Sequence, residues 1–127
     1  MNLSFRTITV CLALLFAAAA LLIAQERAPG ISTAYDKAFR LLQEGRGNDA
    51  LIELDRALAT EPDNPSLNNL RGLAAAQLGR SSEAEASFRK VIRLRPHAAM
   101  GYNNLAALFW QLGNSAEAAS TFRQAIK

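Results

Sequence analysis

One cysteine, one histidine, a pair of adjacent serines and eleven carboxylates are the groups in these 127 residues that could carry covalent or acid–base chemistry. Cys11 lies inside an apolar run, and a lone cysteine neither closes an intramolecular disulfide nor completes a multi-cysteine metal site. His97 directly follows Pro96 with no second His or Cys to join it as ligand or base, so a loop position between two helices is its expected role. Ser81 and Ser82 precede an amphipathic run, where helix capping accounts for them, and no His stands at motif spacing from them. The glycines occur singly, without the clustering that cradles a phosphate. Acidic and basic residues are interleaved, as in Glu83, Glu85, Arg89 and Lys90, so the net charge of +3 describes a solvated surface and not a nucleic-acid stripe. No catalytic residue, metal site or cofactor site is expected; the residue types point to a binding protein.

The elements that would position such a surface recur along the chain. The stretch 77–96 carries a Gly, an amphipathic run and a Pro, and its marker residues Gly79, Ala84, Phe88, Val91 and Pro96 return thirty-four residues earlier as Gly45, Ala50, Leu54, Ala57 and Pro62. They return again as Gly113, Ala118, Phe122 and Ala125. A period of this size marks a solenoid, whose units are too small to bury their own apolar faces and must stack. The composition, 50% hydrophobic but only 7% aromatic, suits an Ala-rich and Leu-rich helical core. Apolar spacing predicts helices over 32–44, 66–78 and 99–112, each ended by its Gly, and second helices over 48–60, 82–94 and from 115 onward. Ser82 and Glu85 have capping-box spacing, Glu85 and Arg89 form an i,i+4 pair, and Pro62 and Pro96 close their units.

Ahead of the repeats, residues 1–24 read as a targeting segment. Arg6 is its only charge, and the apolar run 8–24 would span roughly 25 Å as a helix, slightly short of a roughly 30 Å hydrocarbon core. A signal peptide cleaved after Ala20 or Ala24 and a retained membrane anchor both fit. Cys11 is a poor lipidation site, because the apolar core continues well beyond it and Val10 replaces the expected small residue. Either outcome leaves the folded part outside the cytoplasm, periplasmic or secreted, since Arg6 holds the N-terminus inside. Residues 25–30, with Pro29-Gly30, form a short linker.

At these positions the sequence resembles the tetratricopeptide repeat, a helix-turn-helix unit, with copies at 31–64, 65–98 and 99–127, the last incomplete. The resemblance implies an all-α fold, a right-handed α-solenoid of stacked helix-turn-helix repeats behind the N-terminal apolar helix. Small residues stand where the family's helices approach most closely: Ala38, Gly72 and Ala106, then Ala50, Ala84 and Ala118. Leu54, Phe88 and Phe122 are expected to fill the space between units. Two departures stand out: the large aromatic near the start of the first helix survives only as Tyr102, against Ala34 and Asn68, and Arg71 stands where the family usually has Leu. A rotated helix or a snorkelling stem would accommodate Arg71.

The resemblance also implies that first helices line a concave face. The lining residues would be Ser32, Tyr35, Phe39, Leu42 and Gln43; Ser66, Asn69, Leu73, Ala76 and Gln77; Met100, Asn103, Ala107, Trp110 and Gln111. Of these, Tyr35, Phe39, Gln43, Asn69, Leu73, Gln77, Met100, Asn103, Trp110 and Gln111 are the candidate partner-binding residues. Asn and Gln side chains can pair with the backbone of an extended peptide whatever its sequence. The Gln row is equally explained as exposed helix formers before a terminating Gly. Trp110 is either an interface anchor or a residue that packs under a following unit. Family members that hold chaperone C-termini use a Lys, Arg and Asn clamp; the matching positions are Tyr35, Phe39, Leu70, Met100 and Asn104, so the cations are missing. The expected function is an extracytoplasmic scaffold that binds a protein or peptide segment, with no nucleic-acid partner. The alternatives are the N-terminal part of a larger enzyme or envelope or secretion component, and a self-assembly module. Phe122, Ala125 and Ile126 leave an apolar face near the C-terminus that suits further repeats or self-association.

Overall fold

The computed structural model describes residues 31–125, which form six helices. The targeting segment 1–24 with Cys11, the linker 25–30, and Ile126 with Lys127 lie outside the described residues. The helices are α1 (Ile31–Gln43), α2 (Gly47–Thr60), α3 (Pro65–Gln77), α4 (Ser81–Leu94), α5 (Ala99–Gln111) and α6 (Ser115–Ala125). Each helix packs on its neighbours in sequence, and α1, α3 and α5 also touch in series.

A single turn design joins the helices within each unit. Gly45, Gly79 and Gly113 sit at φ 72°, 71° and 80°, left-handed backbone that glycine adopts without a Cβ clash. The next residue closes the Schellman bond: the N–H groups of Arg46, Arg80 and Asn114 donate to the carbonyls of Leu41, Ala75 and Phe109 at 2.8, 2.9 and 2.9 Å. Those same residues then accept from Ala50, Ala84 and Ala118, each at 3.0 Å, and so begin the second helix. This overturns the capping box expected of Ser82 and Glu85. Helix α4 starts one residue early, at Ser81, with Arg80 at the cap position and no side-chain cap, while Glu85 accepts from Arg89 at 2.8 Å. A helix that starts directly after the Schellman turn leaves Ser82 already inside the first turn. The side-chain cap that does form is Asn64, which accepts from the Leu67 N–H at 3.1 Å with Pro65 in the first turn behind it.

Two apolar clusters form the core, one around Leu41, Leu51, Leu54, Leu67 and Leu70, the other around Phe88, Leu105, Leu108 and Phe109. Ala38, Ala50, Ala84, Ala106 and Ala118 are buried where helices approach closely. Gly72 is tighter still, with a Cβ there meeting the Phe88 ring at 2.4 Å. Asn68 stands where a large aromatic was expected; it is buried, and its side-chain amide donates to the carbonyls of Pro62 and Asn64 at 2.9 and 2.8 Å. It ties down the loop between units from inside. Arg71 sends its partly buried side chain to the outer side of the joint, where it donates to Asp55 at 2.8 Å and to the Ser87 hydroxyl at 3.2 Å, bridging α2 and α4.

The two edges of the array differ. The positions at which α3 buries Leu67, Leu70 and Ala74 are held in α1 by the exposed Thr33, Asp36 and Arg40. At the opposite edge, Phe122 is 43% exposed, whereas its counterparts Leu54 and Phe88 are at 0% and 1% because a following unit covers them. The first edge is polar and the last apolar.

Candidate binding face

The first-helix face is built by α1, α3 and α5 lying side by side, and its residues recur at the repeat period. Phe39, Leu73 and Ala107 form an exposed, mainly apolar row across the three helices. Tyr35 stacks on Phe39, with ring centroids 6.2 Å apart and planes 5° from parallel, so α1 presents a rigid aromatic pair. Met100 is exposed at the start of α5, and Trp110 is exposed at its end.

The polar candidates divide into those held inside the protein and those open to solvent. Asn69 is only 8% exposed, and its Oδ1 accepts from the Asn104 side-chain amide at 2.6 Å, which joins α3 to α5. Gln77 is exposed, yet its Nε2 donates to the Leu42 carbonyl at 3.1 Å. The same carbonyl accepts from the Gly45 N–H at 3.0 Å, so Gln77 adds a second bond that ties α3 to the end of α1. Gln43, Asn103 and Gln111 are exposed. Asn104 was absent from the candidate set, and its own position four residues from Leu108 gave no sign of a partner on another helix.

Trp110 lies at the meeting of this face and the apolar last edge. With Ala107, Gln111 and Phe122 it lines a cleft of about 460 Å³. Its counterparts Leu42 and Ala76 are packed against the core clusters, whereas Trp110 is 67% exposed.

None of the ten candidate residues is charged. Charge gathers elsewhere, as in the turn between α1 and α2, where a hydrogen bond and charge pairing with Asp49, aided by Glu44, raise the Arg46 pKa above its ordinary value. Among the described residues no three His, Cys, Asp or Glu side chains come together as a metal set. His97 is exposed in the loop before α5. No described helix is long and apolar enough to cross a membrane.

The tetratricopeptide-repeat family model matches residues 35–99 and 74–127. A tetratricopeptide repeat and J domain-containing co-chaperone, DNJ1 of Fusarium oxysporum f. sp. lycopersici, is 36% identical over 78 residues, 61% of this chain and 15% of that protein. The TPR repeat-containing thioredoxin TTL4 of Arabidopsis thaliana is 32% identical over 69 residues, 54% of this chain and 10% of that protein. The chain thus spans a small part of the length of these relatives. Among solved structures, MamA residues 41 to the end from Desulfovibrio magneticus RS-1 superposes with a TM-score of 0.72 at 21% identity, covering 79% of this chain and 56% of that one. The second TPR of Spaghetti (RPAP3), bound to the HSP90 peptide SRMEEVD, gives 0.69 at 22% identity, covering 80% of this chain and 94% of that one. At these identities the two structures speak to the fold alone.

Proposed function

The chain belongs to the tetratricopeptide-repeat family, and from that premise we propose that it is a non-enzymatic scaffold whose first-helix face holds a protein segment in an extended, uncharged groove. The observation that carries this reading is the uncharged face itself: Phe39, Leu73, Met100 and Trp110 stand exposed beside Gln43, Asn103 and Gln111. Apolar side chains of a ligand would rest on the first set while its backbone pairs with the second. Asn69 and Gln77 act mainly by holding α3 against its neighbours, so they shape the groove from behind.

The same positions argue against a chaperone-type carboxylate clamp. The clamp needs Lys and Arg among the positions held by Tyr35, Phe39, Leu70, Met100 and Asn104, none of which is a cation, and Leu70 is buried. The preferred ligand is a neutral segment with spaced apolar side chains. The setting we infer is extracytoplasmic, supported by Arg6 ahead of the uncharged run 8–24, with membrane anchoring as the alternative to cleavage.

Selection of a random-peptide display library on the full chain tests the reading. The recovered peptides should include an uncharged, apolar class that binds almost independently of salt and loses at least about tenfold in affinity, roughly 1.4 kcal/mol, on Leu73→Asp or Phe39→Asp. Failure to recover any peptide whose binding is lost on these two substitutions would refute it.

A second reading rests on the open cleft at Trp110 and Phe122. There the last edge receives an amphipathic helix of the first-helix kind, apolar at the positions that Leu67, Leu70 and Ala74 hold in α3. The polar outer surface of α1 makes a second copy's first helix a poor occupant.

A further inference from the structure

The two joints between units carry different groups at matching positions on their outer side. At the first joint the Arg71 guanidinium lies between α2 and α4, bonded to Asp55 at 2.8 Å and Ser87 at 3.2 Å, with Glu83 at 3.6 Å. One repeat later, Leu105 takes the place of Arg71, Arg89 that of Asp55, Thr121 that of Ser87 and Glu117 that of Glu83. The cation that closes the first joint from within has gone, and the anion at its rim has become a cation.

What remains is a cleft of about 400 Å³ between α4 and α6. Leu105, Phe109 and Ile92 supply its apolar lining, and Arg89 and Arg93 stand together on the α4 side. Tyr102 and Gln124 also line an adjoining cleft of about 350 Å³ that reaches Pro96 and His97, so the open space continues along the joint. Both walls are second helices, and neither cleft contains a residue assigned to the first-helix groove.

We propose that the second joint is a separate site for an acidic peptide segment with apolar side chains, whose carboxylates lie against Arg89 and Arg93 and whose apolar groups rest on the half-buried Ile92 and Tyr102, above the buried Leu105 and Phe109. The ligand carboxylate supplies from outside the opposite charge that the first joint supplies from within. Arg89 already donates to Glu85 at 2.8 Å, but a guanidinium has five N–H donors in a planar fork and keeps several for a second carboxylate. Glu117 on the α6 side repels a continuous polyanion, which favours spaced carboxylates over a phosphate backbone. The site does not depend on the reading of the first-helix face.

The test is fluorescence anisotropy with the full chain and a labelled, end-blocked peptide of alternating Glu and Leu, beside a Lys and Leu peptide and a single-stranded oligonucleotide. The acidic peptide should bind saturably, the basic one should not, and the oligonucleotide should bind more weakly. Arg89→Gln and Arg93→Gln should each weaken binding about threefold to fivefold, as expected of solvent-exposed ion pairs. Raising the salt from about 50 to about 300 mM should weaken it further. Leu105→Arg combined with Arg89→Asp, which installs the arrangement of the first joint, should abolish it, and Leu73→Asp on the other face should leave it unchanged. The proposal is overturned if both peptides bind alike, if the oligonucleotide binds as tightly as the acidic peptide, if the acidic peptide shows no saturable binding in the millimolar range, or if affinity survives the Arg89→Gln/Arg93→Gln double variant, shown folded by circular dichroism.

Discussion

Gly72→Ala strains the closest helix contact in the second unit. A Cβ at Gly72 would stand 2.4, 2.7 and 2.9 Å from Cε1, Cδ1 and Cζ of Phe88, well inside the usual contact of about 3.5–4.0 Å. The ring is fully buried and has no solvent side into which to turn, so α3 and α4 must separate. Overpacking of this kind costs about 1–3 kcal/mol. Alanine's better helix propensity offsets about 0.8–1.0 kcal/mol of that. The expected net loss is about 0–2 kcal/mol, with a fall in Tm of about 4–8 °C for each kcal/mol in a domain of this size. Phe88→Leu alone leaves a void and destabilises, but combined with Gly72→Ala the new methyl occupies part of that void. The double variant should therefore be more stable than the sum of the singles by about 1 kcal/mol. Urea unfolding of the four proteins, followed by helical circular dichroism, measures this coupling. A Gly72→Ala protein more stable than the parent, or strictly additive losses, would show that α3 and α4 do not approach as described. Since α3 carries Leu73 and Asn69, a separated α3 should also weaken peptide binding where the fold survives.

Asn64→Ala should cost about 1 kcal/mol through loss of the Leu67 cap, whereas Ser82→Ala should change stability by less than about 0.5 kcal/mol, both read from the same urea curves. Trp110 gives a direct optical test, being the single tryptophan and largely exposed. Its emission in the free protein should match solvated indole and be quenched freely by iodide, then shift to the blue when a ligand covers it. Blue-shifted emission that appears only as protein concentration rises would instead assign the last edge to self-association.

Much of this fold is written in residues that act locally or at a fixed period. Gly45, Gly79 and Gly113 end their helices because only glycine holds that backbone cheaply, and the buried Ala and Gly positions recur because every unit makes the same close approach. Capping was harder to read, since the Ser82 and Glu85 spacing is real but the Schellman bond from Arg80 starts the helix first. The polar side chains of the face were the least legible. Asn69 looks like an exposed asparagine on α3, and only the packing of α5 brings Asn104 within 2.6 Å of it. Gln77 likewise finds the Leu42 carbonyl thirty-five residues away. Arg71 looked like a misplaced charge because its partners, Asp55 and Ser87, each lie sixteen residues off on separate helices.

The unlike charges at the two joints also bear on how the chain avoids pairing with itself in the wrong order. In an array of units with one shared helix-turn-helix plan, α3 could in principle stack after α4 of another molecule in place of α2 of its own, giving a swapped polymer. That slip by one repeat would remove Arg71 from Asp55 and set it against Arg89, two cations at the edge of a packed joint. Like charges brought together in this way are repulsive by an amount that the correct partner does not share. The same substitution that opens the second joint thus makes the units non-interchangeable, so that the sequence carries its own numbering of the repeats.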